Sequence, residues 1–391
     1  MISFKEAQQI INDNIIILGI ENVDIKTSLG RVLAHDVESD INMPPFDKSA
    51  MDGYAIRRKD LFNELEVIET IKAGEIPRKK INAGQCSKIM TGALIPEGAD
   101  TVIMVELTEA TGLNKIKFTG TDSRPNISYK AEDIKLGEVV LKKGTLLRPQ
   151  EIAILASVGC TYPVVYKLPR IAIMSTGDEI VEPHLVPDSG KIRNSNAYQL
   201  IGQVQKCGIS PDYLGIIEDT EEATYNKISG ALQNYDILLL TGGISMGDFD
   251  FVPKVMEKAG VTLLIQTIAM KPGKPTVFGR KDNTFVFCLP GNPVSSFAVF
   301  ELFAESFIKA MSGYKADRKL LKLKLKETFT LKASDRLTWI PVEIDENEDV
   351  IPVSFHGSAH IYALCFAQGL MPIEAGISQI NKGEIVHVRP F

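Results

Sequence analysis

The sequence predicts a multidomain protein in which a central α/β domain, built on a parallel sheet, is joined to β-rich parts. Short apolar runs alternate with helical patterns between residues 169 and 314, which is typical of parallel strands with helical crossovers. Residues 36–130 instead carry strand-like runs divided by Gly, Pro and Asn, which indicates an all-β module. A lysine-rich link after Gly313 opens a second β-rich segment that continues to residue 391.

Helical patterns lie on both sides of the β module. Residues 1–16 begin with the capping-box pattern Ser3-Phe4-Lys5-Glu6, and a second helix is predicted at 149–158. The simplest explanation is one N-terminal domain interrupted by an insertion. We therefore predict four domains: a mixed helical domain of 1–35 and 131–168, an inserted β domain of 36–130, an α/β domain of 169–314 and a C-terminal β domain of 315–391.

The α/β domain can be divided into elements by its apolar periodicity. Strands are predicted at 170–175, 212–217, 236–240, 262–269 and 284–289. Helices are predicted at 195–207, 220–233, 251–259 and 294–311, the last being long and apolar. In the C-terminal part, strands are predicted near 319–327, 336–344 and 384–389.

Composition excludes several classes of protein. The chain has 391 residues, 45% of them hydrophobic, and a net charge of -6, so it has no global basic field for nucleic acid. Its five cysteines form no C-x-x-C pair, which argues against a zinc ribbon and fits a reducing compartment. Neither a signal-peptide pattern nor an apolar run of membrane-span length is present, so a cytoplasmic protein is predicted.

A glycine-rich turn follows the apolar run 236–240. Thr241, Gly242, Gly243 and Ser245 lie between that predicted strand and the next helix. Strand, glycine turn and helix together are an arrangement that brings backbone N–H groups to an anion. The alternative is an ordinary loop whose glycines only permit a tight turn.

The residues that follow the other predicted strands strengthen the first interpretation, because ligands bind beyond the carboxyl ends of open parallel strands. Glu179 follows one strand, Asp219 the next, and Asp250 lies in the glycine-rich loop. Lys271 and Lys274 follow another strand on a loop that prolines would restrain. Acidic residues after three strands and a basic loop after a fourth predict a site for phosphate and a divalent cation. Carboxylate oxygens favour Mg²⁺ as that cation.

The sequence lacks the motifs of several other common active sites. The sequence contains no G-x-x-x-x-G-K-[ST], G-x-S-x-G or H-E-x-x-H motif. His356 and His360 are four residues apart, but Gly357 and the neighbouring Pro and Ser favour a loop over a zinc-binding helix. No pair of nucleophile and base is visible. Electrostatic and metal-assisted work on a phosphoanhydride or oxyanion is therefore favoured over covalent catalysis.

An ordered set of motifs resembles the molybdopterin molybdenumtransferase family, also called the MoeA and gephyrin E-domain family. The resemblance covers essentially the whole chain, and its specificity lies in the order of the motifs rather than in any one of them. They are PPFDKSAMDGYA from Pro44, MTGA from Met90, EDI from Glu132, STGDE from Ser175, TGGISMGD from Thr241, MKPGKP from Met270 and LPGNP from Leu289.

This resemblance implies an enzyme that takes adenylylated molybdopterin and molybdate, uses Mg²⁺ to cleave the phosphoanhydride, and releases AMP. It implies a homodimer of four-domain subunits with a cleft shared between the subunits. In each subunit, the α/β domain would be similar to the molybdopterin adenylyltransferase and the C-terminal domain would be β-barrel-like. The adenylyltransferase itself is also a candidate partner. Glu179, Asp219 and Asp250 match the acidic, metal-binding residues. The family's anion-binding loops and inserted-domain cleft residues match Lys271, Lys274, Pro290, Pro293, Asp52, Thr91 and Asp133, and a C-terminal position matches Ser358.

Two of these matches have a simpler interpretation when the residues are considered alone. Asp52 precedes Gly53 and could cap a turn, and the Thr91 hydroxyl could be satisfied within its own turn. The sequence also departs from the family pattern. Lys48 replaces the usual Asn, and the segment 126–131 lacks the expected arginines and carries Ala131 where a glycine is usual.

Three functions remain open at this point. The first is insertion of molybdenum into molybdopterin, which the ordered motifs favour. The second is a pterin-binding scaffold without turnover, suggested by the altered segment 126–131. The third is a hydrolase of another nucleotide anhydride on the same fold.

Overall fold

The computed structural model describes residues 1–243, 252–315, 320–354 and 356–391, which form two compact units. The larger unit comprises Met1–Asn22, Gly30–Ala34 and Val164–Phe391, and the smaller comprises Val23–Leu29 and His35–Pro163. Within the described ranges, no helix combines the length and apolar character of a membrane span. The α-helices are Phe4–Asp13, Pro149–Ser157, Ser195–Lys206, Glu221–Ala231, Val252–Lys258, Pro293–Val299 and Glu305–Met311.

A six-stranded sheet lies at the centre of the larger unit. Its strands, in spatial order, are Asp212–Ile217, Ile171–Thr176, Ile237–Thr241, Thr284–Leu289, Pro275–Lys281 and Thr262–Thr267. The first four strands are parallel, which confirms the α/β fold class with a parallel sheet. Their carboxyl ends consequently lie at one edge of the sheet.

The strand Pro275–Lys281 is absent from the elements predicted by periodicity. It runs antiparallel to both of its neighbours, so the sheet is mixed on that side. Pro275 at its start and Gly279 within it weakened the strand signal, although proline is compatible with the first residue of a strand. Gly279 is required by packing, because a Cβ there would lie 2.7 Å from Cγ1 of Val261.

Alternating residues of the parallel strands are buried on opposite faces of the sheet. One face places Ile171, Ile237 and Phe285 in a core with the helices Phe4–Asp13, Ser195–Lys206 and Glu305–Met311. The other places Ala172, Leu238 and Val286 in a core with the helices Glu221–Ala231 and Val252–Lys258. Each fully buried aliphatic or aromatic side chain contributes about 1.5–3 kcal/mol, so the apolar runs of these strands hold three layers together.

The long helix predicted at 294–311 is interrupted. Pro293–Val299 is α-helical, Phe300–Ala304 forms a π-turn, and Glu305–Met311 resumes the α-helix. Apolar spacing alone could not reveal the π-turn, because all five of its residues are buried. Arg389, from the last strand of the chain, donates from its Nη2 to the carbonyl oxygen of Glu301 inside this turn.

The C-terminal strands close into a small barrel, as predicted. Leu337–Ile344 pairs with both Asp349–Pro352 and Gly369–Ile373, and this second pairing closes the ring. The other members are Leu321–Leu325 and Ile385–Pro390. Asp349–Pro352 and Gly369–Ile373 were not predicted, since each is short and contains a proline.

The smaller unit contains the predicted β module. Its six-stranded sheet has the order Thr101–Met104, Gly53–Ile56, Gln85–Ile89, Glu64–Ile71, Lys115–Phe118 and Thr108–Gly112. Two-stranded pairings also join Ile127–Ser128 to Lys48–Ser49 and Val139–Leu141 to Val37–Glu38. Ile20–Asn22 pairs with Val164–Tyr166 in the larger unit.

The first helix has the capping box that the sequence predicts. The Ser3 hydroxyl accepts a hydrogen bond from the Glu6 backbone N–H, and the Glu6 carboxylate accepts one from the Ser3 N–H. Ala7 and Ile11 of this helix join the core of the larger unit. The division into four domains with the boundaries given above stays a prediction.

Candidate functional site

Predicted site residues follow five segments at one edge of the central sheet. Asp219 and Glu179 follow neighbouring parallel strands, and Gly242 and Pro290 follow the next two. The loop with Lys271 and Lys274 joins this edge too, because it connects the carboxyl end of Thr262–Thr267 to the amino end of an antiparallel strand. Carboxylates thus occupy one end of the edge and lysines the other.

A hydrogen bond joins the two loops at the acidic end of the edge. The N–H of Asp219 donates to Oδ1 of Asp178 at 3.1 Å, so the loops after two adjacent strands are in contact. The exposed Glu179 side chain folds over Gly177, where a Cβ would lie only 2.4 Å from Oε2 of Glu179. Asp250 and Ser245, the other predicted residues of this part, lie outside the described residues.

The glycine turn at Gly242 and Gly243 has a left-handed backbone. Gly242 and Gly243 have φ angles of 94° and 64°, in the left-handed region that favours glycine. Both also pack closely on Thr176: a Cβ on Gly242 would lie 2.5 Å from the Thr176 carbonyl oxygen, and one on Gly243 would lie 2.7 Å from its Oγ1. Space and backbone conformation therefore both require glycine here.

The turn with Pro290 and Pro293 connects the sheet to the C-terminal barrel. Asn292 is the N-cap of the helix Pro293–Val299, and its Nδ2 donates to Oγ of Ser358 at 3.0 Å. The backbone of Ser358 accepts a second hydrogen bond, from the N–H of Val294, at 3.0 Å. Ser358 is thereby held at the start of this helix.

A cavity of about 670 Å³ lies between the sheet edge and the barrel. Lys271, Lys274, Pro290 and Ser358 line it, together with two basic residues that were not predicted, Lys332 and Arg336. Aspartate and glutamate are absent from the described residues that line it, so Glu179 and Asp219 lie outside this cavity. The described lining therefore carries four cations and no carboxylate, although Nε of Arg336 lies 3.4 Å from Oδ1 of Asp335, which is outside the lining.

The two unpredicted cations come from the barrel, where the sequence shows no glycine turn or strand-end motif. Arg336 begins the segment that leads into the strand Leu337–Ile344, and its Nη1 donates to the Met270 carbonyl oxygen at 3.4 Å. That contact joins the barrel to the Lys271 loop. A cation at the start of a predicted strand is the signal that could have identified Arg336.

Asp52 and Thr91 lie together in the smaller unit. One oxygen of Asp52 accepts hydrogen bonds from both the backbone N–H and the hydroxyl of Thr91. These bonds, the backbone one first, hold the pKa of Asp52 below its usual value. Gly53 permits the arrangement, because a Cβ there would lie 1.9 Å from the Ile103 carbonyl oxygen. Asp133 is exposed, and its N–H donates to the Met43 carbonyl oxygen.

The segment that departs from the family pattern has an unusual backbone. Ala131 has a φ of 61°, in the left-handed region, at the position where the family usually has glycine. Its N–H still donates to the Pro44 carbonyl oxygen at 3.0 Å. Ser128 pairs with Lys48, so the two departures from the family pattern are neighbours.

Two buried asparagines of the larger unit were also missed. Asn194 and Asn196 lie at the start of the helix Ser195–Lys206, and their side chains bond to residues at the ends of the sheet strands. Asparagine before a helical pattern was a visible cap signal for Asn194. The sequence carries no comparable signal for the contacts of Asn196.

Comparisons with known proteins show which family the chain belongs to. Family models match over residues 2–159 (MoeA N-terminal region, domain I and II), 172–310 (probable molybdopterin binding domain) and 322–391 (MoeA C-terminal region, domain IV). A molybdopterin molybdenumtransferase of Staphylococcus aureus strain Mu50 is 34% identical, covering 99% of this chain and 95% of that protein. One from Bacillus subtilis strain 168 is 39% identical over 74% of this chain and 70% of that protein.

Solved structures are similar over the same length. The molybdopterin biosynthesis moeA protein of Pyrococcus horikoshii OT3 has a TM-score of 0.83 and 31% identity, with all of both chains covered. A molybdenum cofactor biosynthesis protein of Pyrococcus furiosus has a TM-score of 0.62 at 19% identity, which shows a shared fold. The chain belongs to the molybdopterin molybdenumtransferase family, a family of transferases in molybdenum cofactor biosynthesis.

Proposed function

We propose that this protein transfers molybdenum from molybdate to adenylylated molybdopterin, with cleavage of the phosphoanhydride and release of AMP. The observation that carries the proposal is the separation of charge along one sheet edge. Lysines and an arginine line a cavity at one end, and carboxylates follow the strands at the other. Molybdate is a dianion and requires the basic end. The phosphoanhydride requires a site where its own negative charge is offset.

The cavity is the proposed molybdate site. Lys271, Lys274 and Arg336 would supply compact and planar positive charge to the oxyanion, and the Ser358 hydroxyl would supply a further polar contact. Among the described residues, neither Lys271 nor Lys274 has an ion-pair partner. An anion in the cavity would provide one.

The glycine turn is the proposed site of the phosphoanhydride. Gly242 and Gly243 leave no side chain between the backbone and a ligand. The Gly242 N–H already donates to the Leu289 carbonyl oxygen, so the amide that would face the anion is that of Gly243. Pro290 and Pro293 border this turn on the neighbouring strand end. The substrate's pterin would lie along the same edge.

The acidic end has the donor chemistry that Mg²⁺ prefers. Glu179 and Asp219 offer carboxylate oxygens on neighbouring loops. The described residues contain no group of three or more His, Cys, Asp or Glu that could hold a metal ion, so a further ligand would have to come from outside them. We infer that these two residues, with Asp250, would hold the ion. When bound there, Mg²⁺ would offset the negative charge of the phosphoanhydride oxygens.

Asp52, Thr91 and Asp133 belong to the smaller unit, and we propose that they act at the cleft of a second copy in a homodimer. The lowered pKa keeps Asp52 ionised, so it is suited to accept hydrogen bonds or to face a cation. We also propose that the protein is cytoplasmic and that it associates with the molybdopterin adenylyltransferase.

The test is an assay of AMP release from the purified full chain with adenylylated molybdopterin, molybdate and Mg²⁺. We expect release that requires both molybdate and Mg²⁺ and that stops when the ion is chelated. Release without molybdate, or from simple dinucleotides without a pterin, would indicate the hydrolase alternative. Tight binding of the pterin with no Mg²⁺-dependent release would indicate the scaffold instead.

A further inference from the structure

Two turns at the carboxyl edge are joined by one side-chain amide. Nδ2 of Asn196 donates to Oγ1 of Thr241 at 2.8 Å and to the carbonyl oxygen of Gly291 at 2.8 Å. Thr241 begins the glycine turn, and Gly291 belongs to the proline turn after the adjacent strand. Asn196 itself is only 9% exposed, so these bonds form away from water.

The chemistry of this contact requires an amide. The carbonyl oxygen of Gly291 can only accept, so the NH₂ group of Asn196 must face it, and both of its N–H bonds are used. A carboxylate in the same place would set two acceptors against each other. The Asn196 Oδ1 is buried and has no hydrogen-bond partner within the described part of the chain.

The joined turns are in close contact. The Thr241 hydroxyl donates to the Pro290 carbonyl oxygen at 3.4 Å, and the Gly242 N–H donates to the Leu289 carbonyl oxygen at 3.2 Å. A Cβ on Gly291 would lie 3.9 Å from Cα of Gly242, so the backbones of the turns lie side by side. Among the described residues of these turns, Asn196 contributes two of the four hydrogen bonds that fix their separation.

Asn196 is itself held firmly in relation to the sheet. Asn194, two residues earlier, caps the helix by accepting a hydrogen bond from the Ala197 N–H. Its Oδ1 also accepts from Ser175 and its Nδ2 donates to the hydroxyl of Tyr213, so it contacts two further strands. The start of this helix therefore contacts three adjacent strands and the turn that follows a fourth.

We propose that Asn196 is a positioning residue that sets the spacing of the glycine and proline turns for the phosphoanhydride of adenylylated molybdopterin. This inference rests on the proposed function. Asn196 does not touch the substrate, because it is buried and both of its donor hydrogens are engaged. It acts through Thr241 and Gly291, whose turns would contact the phosphates.

The experiment measures AMP release by the full chain while the concentration of adenylylated molybdopterin is varied. In Asn196→Ala, we expect KM for this substrate to rise about tenfold, the equivalent of one lost buried hydrogen bond, with a smaller change in kcat. Asn196→Asp should raise KM further, because its carboxylate opposes the Gly291 carbonyl and adds negative charge near the phosphates.

Molybdate binding provides the readout that a general structural defect would also change. Trp339 is the only tryptophan of the chain and lines the basic cavity, so its fluorescence can report molybdate binding. Asn196 contacts the cavity only through the turn that contains Pro290, whereas Lys271, Lys274 and Arg336 lie on other segments. Because those cations would supply most of the attraction for the dianion, we expect the molybdate affinity of Asn196→Ala to stay within about twofold of the parent. A matching loss of both affinities and of Tm would overturn the proposal.

Two further variants make the test specific. Asn234→Ala removes an amide that donates to the Gly230 carbonyl oxygen at an exposed helix end. This variant should change neither the KM for adenylylated molybdopterin nor the affinity for molybdate. Thr241→Val removes the hydroxyl through which Asn196 acts, so its effect should not add to that of Asn196→Ala. If Asn196→Ala fails to fold, Thr241→Val carries the test, and an unchanged KM in that variant rejects the inference.

The outcomes separate this inference from the proposed function. If the parent protein releases no AMP, the proposed function is wrong, and calorimetric binding of adenylylated molybdopterin to the parent and to Asn196→Ala then tests the inference alone. If the parent is active and Asn196→Ala retains its KM, only the inference is wrong.

Discussion

Thr91 donates two hydrogen bonds to a single oxygen of Asp52, from its backbone N–H at 2.6 Å and from its hydroxyl at 2.7 Å. Both bonds favour the ionised carboxylate and lower its pKa. Sequence reasoning favoured a satisfied turn hydroxyl for Thr91 and a turn-capping role for Asp52. The structure shows that the two residues satisfy each other.

Thr91→Val should raise the pKa of Asp52 toward its ordinary value, although the backbone bond keeps it partly lowered. A lowered pKa adds stability above the unfolded value of about 3.9 that is lost as pH falls through the folded pKa. The variant should therefore lose less stability than the parent on acidification below about pH 4. An NMR titration of the Asp52 carboxyl carbon measures the shift. Thr108→Val, which removes a hydroxyl bonded to the Val105 carbonyl oxygen, should leave that titration unchanged.

Glu179→Gln should reduce AMP release by at least about tenfold and leave Tm unchanged. The side chain is exposed and lies in a loop, so its charge serves the site rather than the core. The assay is AMP release at saturating substrates, with thermal unfolding measured in parallel. Glu257→Gln, an exposed carboxylate on the helix Val252–Lys258, is the matched control and should retain full activity. Full activity of Glu179→Gln would remove Glu179 from the proposed site.

Gly242→Ala and Gly215→Ala should differ although the two glycines have similar φ angles, 94° and 88°. Both substitutions introduce strain of about 1 kcal/mol from the left-handed backbone. A Cβ on Gly215 meets nothing within 4 Å, whereas one on Gly242 lies 2.5 Å from the Thr176 carbonyl oxygen. Denaturant unfolding should therefore show the larger loss for Gly242→Ala, accompanied by weaker substrate binding. Equal losses would contradict the close packing of this turn.

Lys274→Ala should weaken molybdate binding by about tenfold, as expected for one lost charge-assisted contact. Titration of Trp339 fluorescence with molybdate measures the change. Because the cavity is open to solvent, added salt should weaken binding in the parent more than in the variant. Lys227→Ala, on the helix Glu221–Ala231 and outside the cavity lining, should bind molybdate normally. An unchanged affinity in Lys274→Ala would place the anion elsewhere.

Ala131→Gly should stabilise the protein by up to about 1 kcal/mol, because glycine adopts a positive φ without the clash of a Cβ. Urea unfolding of the full chain measures the difference. Ala153→Gly, in the helix Pro149–Ser157, should destabilise by a similar amount and so provides a control of opposite sign. A higher rate of AMP release in Ala131→Gly than in the parent would further show that the altered segment limits turnover.

Sequence reasoning was most successful where chemistry and periodicity coincided. The apolar run before Thr241 and the glycines after it predicted a buried strand and a glycine turn, and both are present. The barrel residues Lys332 and Arg336 were missed because their approach to Lys271 depends on pairing between distant segments. The Asn196 contacts were missed for the same reason, since one partner lies 45 and the other 95 residues away along the chain.

The π-turn at Phe300–Ala304 makes the chain intolerant of a change in length at that point. Deletion of one residue there would restore a regular helix but rotate everything beyond it by about 100°. Phe307 and Ile308 would then face away from the aromatic cluster they now enter. Insertions and deletions among natural variants should therefore avoid this stretch, however freely they occur in the exposed loops.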